Sequence, residues 1–402
     1  MIMAETALGR MTKKSPVGAF AAFGKGGGFA FGGWINAIIP ILIVPYYSVI
    51  GGWVIKYLVE YLRGGGSALA QDGYFSGFIS NGVSVELCFL AFALFTLAII
   101  FAGVRNGVER VSKCMMPVLA VLSVIIAGYS VTRPGALAGV KYFLVPNLDN
   151  FSWMTVVSAM GQMFYSLSIA MGILITFGSY MKKDVSIEDS TTNVEIFDTA
   201  IAIMAGLMII PAVFAFSGGD PDTLQAGPAL MFITIPKVLD SMGMGTVVGV
   251  LFFVLVLFAA VTSSIALTES AVSTLQDELG WSRRKSTVVM GVSMAALGSL
   301  SSLGYGPLAN VTVIGMQFLD FFDFLTNSVM MPIAAIASCI LVSRVIGVDR
   351  IAREVTLNGC SFRRERVFNA MIRVLCPVFA AGILISSIAN AFGWISMEGG
   401  GI

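Results

Sequence analysis

The sequence predicts an all-α polytopic membrane protein, and three observations carry that prediction. Of the 402 residues, 57% are hydrophobic and only 12% charged, with a mean hydropathy of +0.88, well beyond soluble globular domains. The charged residues leave nine uncharged runs: 26–55, 87–104, 115–132, 151–181, 199–219, 241–268, 286–319, 324–343 and 374–397. Each is about as long as, or longer than, the ~17–20 helical residues needed to cross a bilayer. The positive charges, finally, are one-sided. With ends and loops assigned alternately to two faces, 19 of the 24 Lys and Arg fall on the face of the N-terminal segment. Only Lys56, Arg63, Arg133, Lys141 and Lys237 fall on the other. The Lys/Arg-rich face is cytoplasmic by the positive-inside rule, which places the C-terminus outside.

Composition also excludes function classes. The chain has no histidine, and Cys88, Cys114, Cys339, Cys360 and Cys376 show no short paired spacing. His-based catalysis, thiolate metal sites and a disulfide framework are not indicated. No GxxxxGK[ST] loop suggests ATP-driven pumping, and no nucleophile and base pair suggests an intramembrane enzyme. A channel is disfavoured by the lack of a filter-like repeat or a ring-forming charged motif.

Taken in chain order, the segment MIMAETALGR before the first basic cluster is too short to cross a membrane. It reads as the last turns of a helix or as a short amphipathic anchor. On the first run, Ile43 and Tyr47 are four apart and share a helix face beside Pro45 and Tyr46. Tyr47 suits either a ligand carboxylate or a core position. The fourth run, 151–181, is longer than one straight span requires. It carries GQMFYSLSIAMG at 161–172, a polar cluster between two glycines. Unpartnered hydroxyls and amides in hydrocarbon cost a few kcal/mol. The cluster therefore marks either a helix broken over a cavity, whose freed N–H and C=O groups hold a carboxylate and a cation together, or interhelical hydrogen bonding. Asp198 stands at the edge of the fifth run, as an intramembrane carboxylate or as an acidic cap of a helix starting at Thr199. In the sixth run, AAVTSS at 259–264 sets Thr262 and Ser263 a turn after the Ala259 carbonyl. These hard oxygen donors suit sodium, or else bond back to their own helix.

These stretches, in this order, resemble the neurotransmitter:sodium symporter family, in particular its bacterial amino-acid transporters. The resembling segments are AETALGR (4–10), PYYSVIGGW (45–53), GQMFYSLSIAMG (161–172), SYMKKD (179–184), AGPALMFITIPKV (226–238), AAVTSSIAL (259–267) and LQDEL (275–279). The resemblance implies the leucine-transporter-type inverted-repeat fold, in which the first and sixth helices unwind near the bilayer midplane. Residues 151–181 match the sixth helix and 1–10 the end of the second. The expected organisation is therefore one N-terminally truncated transmembrane domain over 1–402, with about nine complete helices of an expected eleven. Residues 26–132 form the remainder of the first repeat, 151–343 the second repeat and 366–397 the final helix.

By the same resemblance, the substrate site takes Ile43, Tyr47, Tyr165, Ser166, Ser168, Met171, Ser263 and Leu267. Tyr47 binds the substrate carboxylate, Tyr165 forms a lid, and Ile43, Met171 and Leu267 make apolar walls. One sodium site takes Ala259, Thr262 and Ser263, the other Ser166 and Asp198. A carboxylate at 198, where some relatives carry asparagine, implies that chloride is not required. Asp323 matches the acidic half of the extracellular gate, and Asp277 that of the cytoplasmic gate, where Tyr180 also falls. The expected function is sodium-coupled import of a neutral, hydrophobic or aromatic amino acid across the plasma membrane by alternating access, with lipid and a small amino acid as partners and no nucleic acid. The alternative is a truncated, non-transporting remnant or regulatory paralogue of the same family.

Overall fold

The computed structural model describes residues 1–24, 27–148, 151–225 and 227–392. The chain opens with α1 (Ile2–Thr12) and α2 (Pro16–Ala21). Three long helices follow: α3 (Gly27–Leu62), α4 (Gly82–Phe101) and α5 (Val104–Val131). Next come the shorter α6 (Trp153–Ser166) and α7 (Ile173–Tyr180), then α8 (Ile187–Ser217), α9 (Gly245–Leu279) and α10 (Arg283–Leu303). The described chain closes with α11 (Phe318–Ile346), the short α12 (Val348–Val355) and α13 (Glu365–Ala391).

Among the described residues, eight of these helices are long and apolar enough to cross a membrane. They answer to eight of the nine uncharged runs in order. The remaining run, the fourth at 151–181, is the one that breaks, into α6 and α7. The last five residues of the 366–397 segment, like Ala226 of the 226–238 segment, lie outside the described residues.

Several helices run past the uncharged runs that foretell them, because charged side chains at the membrane edge extend a helix as readily as they end a hydropathy window. α8 starts at Ile187, not at 199, with the Ser186 hydroxyl accepting from the Asp189 N–H at 3.2 Å as its cap. α3, with 36 residues, is roughly 54 Å long and exceeds a hydrocarbon core of about 30 Å, with Pro40 and Pro45 inside it.

α3 is the hub and packs on α9, α4 and α10. Its Gly51 and Gly52 permit the close crossing with α4: a Cβ at Gly52 would sit 2.6 Å from the Phe89 backbone nitrogen, and one at Gly51 would strike the Phe92 ring. The inner end of the bundle uses the same device. α1 and α7 lie backbone to backbone, and a Cβ at Gly9 would fall 2.0 Å from the Ile175 carbonyl oxygen, one at Gly178 2.4 Å from that of Thr6. Apolar burial offers little drive between helices in lipid, so small residues that admit such approach carry the packing.

Two ion-pair clusters lie among the charged residues that flank the long helices. Arg10 bonds Glu354, while Lys183, Arg350 and Arg353 line one cavity with them. Lys237 pairs with Asp72.

Replacing Gly178 by Val forces the Thr6 carbonyl aside and is expected to destabilise the protein by about 3 kcal/mol, the upper range for overpacking. The check is the thermal midpoint followed by size-exclusion of the detergent-solubilised protein. Gly161→Ala, where nothing lies within 4 Å of the added carbon, is expected to leave the midpoint unchanged or slightly raised.

Candidate functional site

Between α6 and α7 the chain leaves helical geometry from Leu167 to Gly172. Ser168 (φ 53°), Ala170 (φ 60°) and Gly172 (φ 70°) all take the left-handed conformation. For the two non-glycine residues this costs roughly 1–2 kcal/mol each, so the surroundings must hold them there. α1 does so. The buried Glu5 carboxylate accepts from the Ala170 N–H, with Oε1 at 3.1 Å and Oε2 at 3.3 Å. At Gly172 a Cβ would lie 2.7 Å from the Asn36 carbonyl oxygen and 2.7 Å from Pro16 Cγ, which explains a glycine at this turn.

The break opens on a cavity of about 490 Å³. Ile43 and Tyr47 line it from α3, Tyr165 and Ser166 from the end of α6, Ser168 and Met171 from the unwound segment, and Thr262, Ser263 and Leu267 from α9. All eight residues assigned to the substrate site from the sequence thus meet in one space, though they come from three separate parts of the chain. Tyr47 and Ser263 both face this space, from α3 and α9. The carbonyl end of α6 and the N–H end of α7 both border the break, so one rim favours a cation and the other a carboxylate.

Asp198 does not cap α8, since it lies three turns inside it. Its carboxylate accepts from the Ser166 hydroxyl at 2.7 Å, which joins the two residues assigned to one ion site. At the other ion site, the Thr262 hydroxyl donates to the Phe258 and Ala259 carbonyls, both at 3.0 Å. Bonding back into the helix is therefore real, yet it engages only the proton. The hydroxyl oxygen keeps lone pairs for a cation, and Thr262 lines the cavity. Ala259 itself does not line the cavity; its carbonyl is seen only as the acceptor of this Thr262 bond.

A second cavity, of about 960 Å³, lies beyond Gln162 and Tyr165, which line both spaces and form the partition. Asp323 belongs to this second cavity. It accepts from the Tyr46 hydroxyl at 3.0 Å and from Asn327 Nδ2 at 2.6 Å. At the inner end, the two residues assigned to one gate take different partners. Asp277 accepts from the Ser15 N–H at 2.5 Å. Tyr180 donates to Glu269 Oε1 at 2.8 Å, and Arg283 also bonds Glu269, at 3.0 and 2.5 Å. Glu269 is fully buried. Removing one partner of a buried pair of this kind costs about 3–5 kcal/mol.

Sequence reasoning missed Glu269 and Arg283, and also Ser112 and Met116 of the cavity wall; Gln162 belongs to the polar cluster it did single out. Ser112 and Met116 are four apart on one face of α5, but a serine among Arg110 and Lys113 looks like an ordinary membrane edge. Glu5 did carry a signal, a carboxylate among apolar residues in AETALGR, which by default marks function.

Comparisons with known proteins place the chain among transporters. The profile of the sodium:neurotransmitter symporter family matches residues 76–395. The uncharacterized sodium-dependent transporter YhdH of Bacillus subtilis is 31% identical over 358 residues, covering 88% of this chain and 78% of that protein. An uncharacterized sodium-dependent transporter of Haemophilus influenzae is 29% identical, covering 96% and 87%. Among solved structures, MhsT in complex with L-phenylalanine superposes with a TM-score of 0.85 at 32% identity, covering 96% of this chain and 87% of that one. The fold is the leucine-transporter type, and the chain belongs to the sodium:neurotransmitter symporter family, whose members are transporters and not enzymes.

Proposed function

We propose that the protein imports a neutral amino acid with a hydrophobic or aromatic side chain, driven by sodium, without a requirement for chloride. The observation that carries the reading is the unwound segment 167–172 opening onto the 490 Å³ cavity. That volume lies within the range of small-molecule sites. The substrate carboxylate meets the Tyr47 hydroxyl and the N–H end of α7, and its ammonium faces the carbonyl end of α6. Its side chain rests on Ile43, Met171 and Leu267. Among the described residues no charged side chain lines this cavity, so a substrate with a charged side chain is left without a counter-charge there. The phenylalanine bound by MhsT supports an aromatic substrate.

One sodium ion takes oxygens of Ala259, Thr262 and Ser263, and a second takes Ser166 and Asp198. The Asp198 carboxylate supplies a fixed negative charge beside the second ion, the part that chloride plays in a chloride-dependent transporter. Tyr165 and Gln162, between the two cavities, close the site from outside, and the Tyr180–Glu269–Arg283 cluster closes it from inside. Alternating access follows from opening one closure at a time, in a plasma membrane with the Lys/Arg-rich face in the cytoplasm and the C-terminus outside.

Three outcomes are expected in proteoliposomes. Labelled phenylalanine or leucine accumulates under an inward sodium gradient; uptake indifferent to that gradient overturns the coupling. The double substitution Thr262→Ala, Ser263→Ala raises the sodium concentration for half-maximal uptake roughly tenfold or more, the loss of at least one charge-assisted oxygen contact; an unchanged sodium dependence removes both residues from the ion site. Asp198→Asn makes uptake respond to chloride, measured against gluconate, and intact transport without any chloride response rejects the fixed-charge role.

A further inference from the structure

On the cytoplasmic face, away from both transport cavities, lies a cavity of about 580 Å³ that the transport cycle does not use. Its lining is Arg10 and Met11 at the end of α1, Lys183 after α7, and Arg350, Arg353, Glu354 and Leu357 from α12 and beyond. Four of these seven residues are cations, and Glu354 is the one carboxylate. That carboxylate is already engaged: the buried Arg10 bonds it at 2.7 Å and also bonds the Glu354 carbonyl oxygen. Lys183, Arg350 and Arg353 remain as the excess charge.

The site is built, not a loose surface run. Arg10 also bonds the Val185 carbonyl at 2.6 Å, and Asn358 Nδ2 bonds the Lys183 carbonyl at 2.8 Å, which pins the loop carrying Lys183 against the region after α12. α12 is held from below by buried Val348, Ile351 and Val355. The three-residue spacing of Arg350 and Arg353 sets both guanidiniums on one helix face. The crowding is felt nearby. Lys13, whose ammonium bonds the Met181 carbonyl, is held below the ordinary lysine value, first by desolvation and then by the repulsion of Arg10 and Lys183.

We propose that this cavity binds a phosphate group, with Arg350 and Arg353 as a forked pair of donors and Lys183 as the third cation. Guanidinium pairs match phosphate oxygens in geometry as well as charge. Basic pockets on the cytoplasmic side of membrane bundles meet such groups on anionic lipid headgroups and as free phosphate. A phosphate here ties α1, the loop after α7 and α12 together. α1 also holds the unwound segment through Glu5, so occupancy stabilises the inner end of the bundle.

The test uses the purified protein in phosphatidylcholine nanodiscs, with thermal midpoint as readout. One arm adds phosphatidylglycerol to the discs, and the other adds inorganic phosphate against chloride at equal ionic strength. At least one probe is expected to raise the midpoint. The apparent affinity for that probe is expected to fall about tenfold or more in Arg350→Gln/Arg353→Gln and in Lys183→Gln, but not in Arg284→Gln, a cytoplasmic arginine outside the cavity. A rise with phosphatidylglycerol alone assigns the site to a lipid headgroup; a rise with inorganic phosphate as well assigns it to a free phosphate. No response to either probe, or an undiminished response in both the double variant and Lys183→Gln, overturns the proposal.

Discussion

The structure turns on how a chain can leave helical geometry inside a membrane. Between Leu167 and Gly172 the backbone loses its helical partners where water is scarce, and each buried N–H left unpaired costs about 1–3 kcal/mol. The Glu5 carboxylate, delivered by α1, gives the Ala170 N–H an acceptor. That bond makes two left-handed residues tolerable and keeps the break in one place. The central cavity exists because the break does: Ser168 and Met171 line it from the unwound segment, and Ser166 ends the helix before it.

Delivering that carboxylate demands close approach. α1 reaches the break only because Gly9 and Gly178 let its backbone lie against α7. The two contacts are thus one device, with the glycines setting the distance and Glu5 making use of it. α3 serves the opposite wall similarly. Its glycines seat it on Phe89 and Phe92 of α4, and from that position Ile43 and Tyr47 face the cavity while Tyr46 holds Asp323 in the space above.

Electrostatics divides the molecule along the same axis. Acidic groups stand on both sides of the central cavity: Asp323 with its Tyr46 and Asn327 donors, and Glu269 with Tyr180 and Arg283. Among the described residues the central cavity has no charged residue in its own wall, but Asp198 reaches Ser166 from one helix away. Fixed charge next to a wall of neutral oxygens suits a site that must hold an ion firmly enough to load it and loosely enough to release it.

Hydropathy alone determined the class and the apolar segments, because the cost of burying charge in hydrocarbon acts residue by residue along the chain. The polar wording of 161–172 also marked the place where the helix breaks. Two choices left open by the residues, and one pairing they did not foresee, were decided by the folded structure. Asp198 proved to lie inside α8, because Ser186 caps the helix well before it. Thr262 proved to bond back to its own helix while still lining the cavity. Tyr180 found Glu269 and not Asp277, because Arg283 brings a second long-range partner to that carboxylate. The cap at Ser186 and the back-bond of Thr262 are local, but the lining of the cavity and the partner of Tyr180 depend on distances between helices far apart in sequence, which no local pattern encodes.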